Sequence, residues 1–181
     1  MTMIDKYLSI VKKNNEVESH IKYASLSNDV IVEIGVLHGY TTKFILENTN
    51  ASVYGIDPII PDSMNEELIG DELLINNLCD LHKNFTFIKD YSYNVVKNWD
   101  KEIDYLFIDG DHTYESVKQD FEDWYPHVKI DGIISIHDSA ANRGGPHFWP
   151  GPSKLADELI YDERLEYLET LTSLTVFKKI K

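Results

Sequence analysis

The strongest constraint on this chain is the alternation of short, nearly continuous apolar runs with segments of helical period. VIVEIG (30–35), SVYGID (52–57), FTFIKD (85–90), IDYLFIDGD (103–111) and GIISIHD (132–138) each read as a strand. Strands that are apolar on both faces belong in a parallel sheet with helices on both sides, because both faces must be buried. Segments near 40–48, 66–82, 92–98, 113–126 and 153–162 read as the intervening helices. In 66–82 the apolar positions are Leu68, Leu73, Leu74, Leu78 and Leu81; Val117, Phe121 and Trp124 mark the helix that Pro126 stops. Ile4, Tyr7, Leu8 and Val11, continued by Val17, Ile21 and Ala24, make 4–26 one or two helices. The final stretch, LEYLETLTSLTVFKK (165–179), reads as two strands pairing as a hairpin. The expected fold is α/β: one doubly wound, mostly parallel seven-stranded sheet with a C-terminal antiparallel hairpin, in a single domain over 1–181 with an N-terminal helical segment at 1–27.

Size and charge narrow the function. A chain of 181 residues buries a sufficient core without staples. Its one cysteine, Cys79, allows no internal disulfide, which points to a reducing, cytoplasmic setting. No run of about 18 apolar residues exists to span a membrane, and MTMIDKYLSIVKKNNEVESH reads as an amphipathic helix start carrying acids, not as a signal peptide. Lys and Arg number 17 against 31 Asp and Glu, a net charge of −14, and the arginines are only Arg143 and Arg164. A nucleic-acid groove needs a basic stripe, and none is present. An anionic membrane surface is disfavoured on the same ground.

Doubly wound sheets bind ligands at the carboxyl ends of their strands. Glu33, Asp57, Asp90, Asp109, Asp111, His112, His137 and Asp138 all fall there. The first strand runs into Glu33-Ile34-Gly35-Val36-Leu37-His38-Gly39, a turn whose glycines permit close backbone approach before a helix start. A G-x-G-x-x-G dinucleotide turn is excluded, since Leu37 and Tyr40 stand at its second and third glycine positions, and no P-loop Gly-Lys-Ser/Thr follows. Asp57, twenty-two residues after Gly35, is placed to accept two ribose hydroxyls. Its alternative role is that of a turn aspartate ahead of Pro58.

VIVEIGVLHGYTT, GID at 55–57 and KDYS at 89–92 together resemble class I S-adenosylmethionine (SAM)-dependent methyltransferases. IDYLFIDGDHTYESVKQDFEDWYPHVKIDGIISIHDS (103–139) is similar to the small-molecule O-methyltransferases of the catechol, macrolide-sugar and aminocoumarin-sugar type. The resemblance covers most of 28–179 and implies a Rossmann-like methyltransferase fold. It implies that Gly35, Gly39 and the neighbouring backbone line the methionine part of SAM, and that Glu33 holds its amino group. It further implies that Asp57 binds the ribose, that Asp90, with Tyr91 and Ser92 nearby, faces the adenine, and that Asp109 closes the cofactor site. A helix N-cap is the alternative for Asp90.

The resemblance also implies a divalent ion, Mg2+ or Mn2+, on Asp109, His137 and Asp138. Related sugar methyltransferases carry a carboxylate where this chain has His137, so His137 is either a ligand or a buried, hydrogen-bonded histidine beside the ligands. Strand neighbours point to opposite faces, so His137 and Asp138 both reach one ion only if the chain leaves the strand there. Asp111 and His112 are candidates for the general base or for a further ligand, and capping of the helix that starts near Thr113 is their other reading, above all for Asp111. The expected activity is metal-assisted O-methylation of a small-molecule hydroxyl on a sugar or phenolic natural product, with a homodimer able to complete the acceptor wall. A metal-dependent phosphohydrolase and a SAM-binding protein without turnover are the alternatives; a nicotinamide oxidoreductase is disfavoured by Leu37 and Tyr40. The loop 139–152, with Arg143, Gly144, Gly145, His147, Phe148, Trp149 and Pro150, either closes over the acceptor or packs as surface. Trp99 and Trp124 read as core, Cys79 as a small buried hydrophobe, and His20, His82 and His127 as helix-surface or helix-end residues.

Overall fold

The computed structural model describes residues 16–60, 71–141 and 149–181. The elements are α1 (Glu16–Leu26), β1 (Val30–Ile34), α2 (Tyr40–Glu47), β2 (Ser52–Ile56), α3 (Asp71–Leu81), β3 (Phe85–Ile88), a short α4 (Ser92–Val95), β4 (Ile103–Ile108), α5 (Tyr114–Trp124), β5 (Val128–Ile136), α6 (Pro150–Leu159), β6 (Leu165–Leu171) and β7 (Leu174–Lys179). Seven strands form one sheet in the order β3-β2-β1-β4-β5-β7-β6. Pairing is parallel from β3 through β5, and β7 runs antiparallel to both β5 and β6. The order reverses between β1 and β4, which places the switch point, and the ligand crevice, beside the first turn.

Period-two alternation explains the two cores. Val32, Ile34, Leu106 and Ile108 face α5 and α6 with Phe121, Trp124 and Leu155. Their strand neighbours Ile31, Tyr105 and Phe107 face α1, α2 and α3 with Tyr23, Ile45, Ile75 and Leu78. In α5, Val117, Phe121 and Trp124 are buried, and Thr113 caps the helix by accepting from the Ser116 amide. Trp124 is fully buried and Trp99 packs against it, as core residues should.

Several boundaries and placements differ from the sequence expectation. Strand β5 begins at Val128, not at Gly132: Asp131 takes φ 64° and its register against β4 shifts, so Asp131-Gly132 is a bulge inside the strand. Helix α6 starts at Pro150, since proline at the first turn lacks only an amide that a helix leaves unbonded there. Leu81 is exposed, and Ile75 joins Leu78 on the buried face of α3. His20 is not on the surface: it is buried, with its ring edge-on to Phe107 at 4.6 Å. The expectations for Ile4 to Val11, Leu68, Arg143, Gly144, Gly145, His147 and Phe148 lie outside the described residues. Among the described residues no helix is long and apolar enough to cross a membrane.

Candidate active site

The first turn is held together by its neighbours. Gly35 adopts φ 88°, and a Cβ on it would lie 2.0 Å from the Asp109 carbonyl oxygen, so only glycine fits where β1 leaves the sheet against the end of β4. The Val36 and Leu37 amides both donate to Asp57 Oδ2 at 2.8 Å, and the Ile59 amide donates to Oδ1 at 2.7 Å. Asp57 therefore clamps the turn from the end of β2. Oδ2 already takes two amides and Oδ1 one, so the clamp leaves one acceptor position, on Oδ1, for a further donor.

Beneath the turn lies Glu33, 1% exposed. Its Oε2 accepts from Thr42 Oγ1 at 2.6 Å, while Oε1 has no hydrogen-bond partner. Burial pushes its pKa up to about 8, against the Thr42 bond and with the Asp109 and Asp57 charges adding to the rise. A buried carboxyl oxygen without a partner is costly unless a donor arrives. Glu33 stands two residues before Gly35, where β1 runs into the turn.

The ends of β4 and β5 bring four side chains together. His137 Nδ1 lies 2.9 Å and His112 Nε2 3.3 Å from Asp109 Oδ1. Asp138 Oδ2 lies 3.7 Å from His137 Nδ1 and 3.9 Å from His112 Nε2. This convergence is possible because β5 ends at Ile136 and Asp138 turns with φ 50°. Ser139 anchors that turn to β7, its amide donating to the Ser173 carbonyl and its hydroxyl to Thr175 Oγ1. Burial raises the Asp109 pKa, but the two imidazoles outweigh it and hold the carboxyl down at about 2. Among the described residues, no group of three or more His, Cys, Asp or Glu has the arrangement of a metal site; Asp109 is engaged by the two imidazoles. His112 stacks on Trp149, ring centres 5.2 Å apart, and the Trp149 amide donates to the Asp138 carbonyl at 2.7 Å. Asp111 turns away, accepting from the Thr113 amide at 2.7 Å ahead of α5.

The third part follows β3. Asp90 is exposed and accepts from the Tyr91 amide and from Asn94 Nδ2. Tyr91 stacks on Tyr93 at 5.1 Å. Ser92 donates to Asp120, a buried carboxyl on α5. Thr42, Asp120 and His20, which lies 6.4 Å from the His137 ring, are members of this region that sequence reasoning passed over. Asp120 had a signal: it falls on the apolar stripe of Val117 and Trp124, where an acid is out of place.

Residues 32–139 match the profile of the family described as "Methyltransferase domain", more than half of the chain. An uncharacterized protein of Acanthamoeba polyphaga mimivirus is 31% identical over 135 residues, covering 71% of this chain, which spans 59% of that protein's length. A structure assigned as an rRNA methylase from Clostridium thermocellum superposes with a TM-score of 0.66 at 20% identity, covering 93% of this chain and 97% of that one. The O-methyltransferase TomG from Streptomyces achromogenes, involved in tomaymycin synthesis and solved in complex with SAM, gives 0.68 at 11% identity, covering 92% and 80%. At these identities the structural likeness shows the fold alone. With its sheet order, first turn and matched profile, the chain belongs to the class I, SAM-dependent methyltransferase domain family.

Proposed function

We propose that this domain transfers a methyl group from SAM to the hydroxyl of a small molecule. The observation that carries the reading is the partnerless, buried Oε1 of Glu33 under the Gly35 turn. It is an acceptor awaiting a donor, and the ammonium of a methionine moiety is such a donor. Gly35 and Gly39 line the same turn, Asp57 accepts a ribose hydroxyl on the remaining lone pair of Oδ1, and Asp90, Tyr91 and Ser92 flank the base. When bound, SAM supplies the electrophilic methyl carbon.

His112 takes the role of base in this reading. An imidazole that gives Nε2–H to Asp109 retains Nδ1 as the basic nitrogen, and the Asp109 carboxylate stabilises the imidazolium that forms. His137 donates to the same carboxylate and fixes it from the other side. Asp111, engaged by the Thr113 amide ahead of α5, which Thr113 itself caps, is the weaker candidate base. Trp149, stacked on His112, offers a flat apolar wall to an acceptor ring. Although the described residues are not arranged as a metal site, their carboxylate and imidazole donors are of the kind a divalent ion takes; Asp109, His137 and Asp138 are the residues that would hold Mg2+ or Mn2+, and the ion would lower the acceptor pKa. The proton transfer described above does not depend on it. A small acceptor is favoured over RNA because 31 acids face 17 bases, a balance that opposes a phosphate backbone.

The reading is tested by calorimetric titration with SAM. Binding is expected in the native protein, and Asp57→Ala should weaken it about tenfold or more by releasing the turn amides. No heat of binding in the native protein would refute it.

A further inference from the structure

Asp120 borders the site through Ser92, has no role in the reading so far and is out of character with its surroundings. It sits on the buried stripe of α5 and is 7% exposed. One oxygen, Oδ1, accepts the Ser92 hydroxyl proton at the start of α4. The other, Oδ2, lies directly under the β4–α5 turn, 3.2 Å from where a Gly110 Cβ would be. Asp120 thus joins the segment after β3 to the segment after β4. In the SAM reading, with the ribose on Asp57 and Asp90, Tyr91 and Ser92 flanking the base, the base subsite borders this junction.

We propose that Asp120 is a positioning residue that fixes the hydrogen-bond polarity of Ser92 and thereby makes the base subsite select a 6-amino purine over a 6-oxo purine. A serine hydroxyl has one proton to donate and two lone pairs that accept. With its proton committed to Asp120, Ser92 presents only lone pairs to a ligand. The exocyclic amine of adenine donates to such a group; the carbonyl of hypoxanthine or guanine meets two opposed lone pairs. The polarity holds only if Asp120 is ionised, since a protonated carboxyl could donate to Ser92 and free its proton. The ionisable groups facing it are Asp123 on the same helix and Asp111 in the β4–α5 turn. Burial, with these two charges, raises Asp120 to about 6 while the Ser92 bond opposes the rise, so it is a carboxylate at neutral pH.

This inference rests on the SAM reading, and the experiment separates the two. S-adenosylhomocysteine and S-inosylhomocysteine are titrated calorimetrically at pH 7.5 into the native protein, Ser92→Ala, Asp120→Leu and Asp120→Asn. The native protein should prefer the adenosyl ligand by about tenfold or more, the scale of one gained bond against one unmatched acceptor. Ser92→Ala should bring the ratio towards one by weakening the adenosyl ligand. Asp120→Leu should bring it towards one by strengthening the inosyl ligand, because the freed hydroxyl can donate. Asp120→Asn, which keeps the shape of the site and can turn its amide to Ser92, should lower the ratio in the same sense if the leucine variant does not fold. A merely structural role would weaken both ligands alike and leave the ratio intact, and that result overturns the inference. Binding of neither ligand by the native protein overturns the SAM reading, and this inference falls with it.

Discussion

Glu33 permits a quantitative test that needs no acceptor. Its carboxyl moves from an ordinary 4.5 to about 8 on folding, because burial penalises the charged form more than the Thr42 bond supports it. Such a shift corresponds to about 5 kcal/mol of differential proton affinity between folded and unfolded chain. Below pH 4.5 the group is protonated in both states and contributes no difference. As pH rises from there, the unfolded chain loses this proton first, and the empty protein is progressively destabilised until about pH 8, beyond which the penalty is constant. Glu33→Gln keeps the neutral shape and removes the ionisation. Urea unfolding without ligand should therefore find the variant close to the native protein at pH 4.5 and more stable by several kcal/mol at pH 9. Taking the difference between the two proteins cancels the titration of all other groups. A ligand ammonium should reverse the preference, since it pairs with the anion. SAM binding below pH 8 should then release a proton from Glu33, seen as a buffer-dependent binding enthalpy, and the Gln variant should bind weakly and without that release. An equal stability difference at both pH values would refute the argument, because it would mean that Glu33 is charged in the empty fold at no cost.

Other expectations follow from the same geometry. Gly35→Ala places a Cβ 2.0 Å from the Asp109 carbonyl oxygen at φ 88°, so it should cost at least about 2 kcal/mol in thermal or urea unfolding and abolish SAM binding. His112→Ala should lower the methyl-transfer kcat about a hundredfold or more while the SAM Kd stays near native; a parallel loss of SAM affinity would show that His112 supports the cofactor instead. If Asp109, His137 and Asp138 hold an ion, EDTA should slow acceptor methylation and Mn2+ should restore the rate, with Asp138→Asn blocking the restoration. Activity indifferent to chelation would leave the chain's own base as the full account.

How much of this was legible in the sequence depended on whether a residue's meaning was local. Strands such as Ile103–Ile108 are buried along their whole length, and a run of that composition has few other places to go. The Gly35 turn was legible because its backbone demand is written in residue type. Helix α6 was not: Pro150, Gly151 and Pro152 read as a loop by composition, although proline belongs at a helix start. Asp131-Gly132 carried a turn signature that the sheet absorbed as a bulge. Long-range placement was the other gap. Nothing local says that His20 packs on Phe107, that Thr42 reaches Glu33, or that Asp120 meets Ser92, 28 positions away. The convergence of His137 and Asp138 was visible only as a condition, that the chain leave the strand, and β5 meets it by ending one residue earlier.

Asp109 ties these separate observations into one object. Its amide donates to the Ile34 carbonyl, its own carbonyl lies against Gly35, and its carboxylate receives both imidazoles. The backbone of one residue thus supports the Gly35 turn while its side chain holds His112, the base of the proposed reaction. In the proposed transfer, coupling of this kind would fix the distance between the methyl donor and the base, which is what an in-line displacement demands of a protein. It also makes side-chain and backbone effects separable. Asp109→Asn keeps the main chain against Gly35 but weakens the hold on both imidazoles, so it should spare SAM affinity far more than turnover. Equal losses in both would mean that the carboxylate itself contacts the cofactor, and would move Asp109 from the base side of the site to the methionine side.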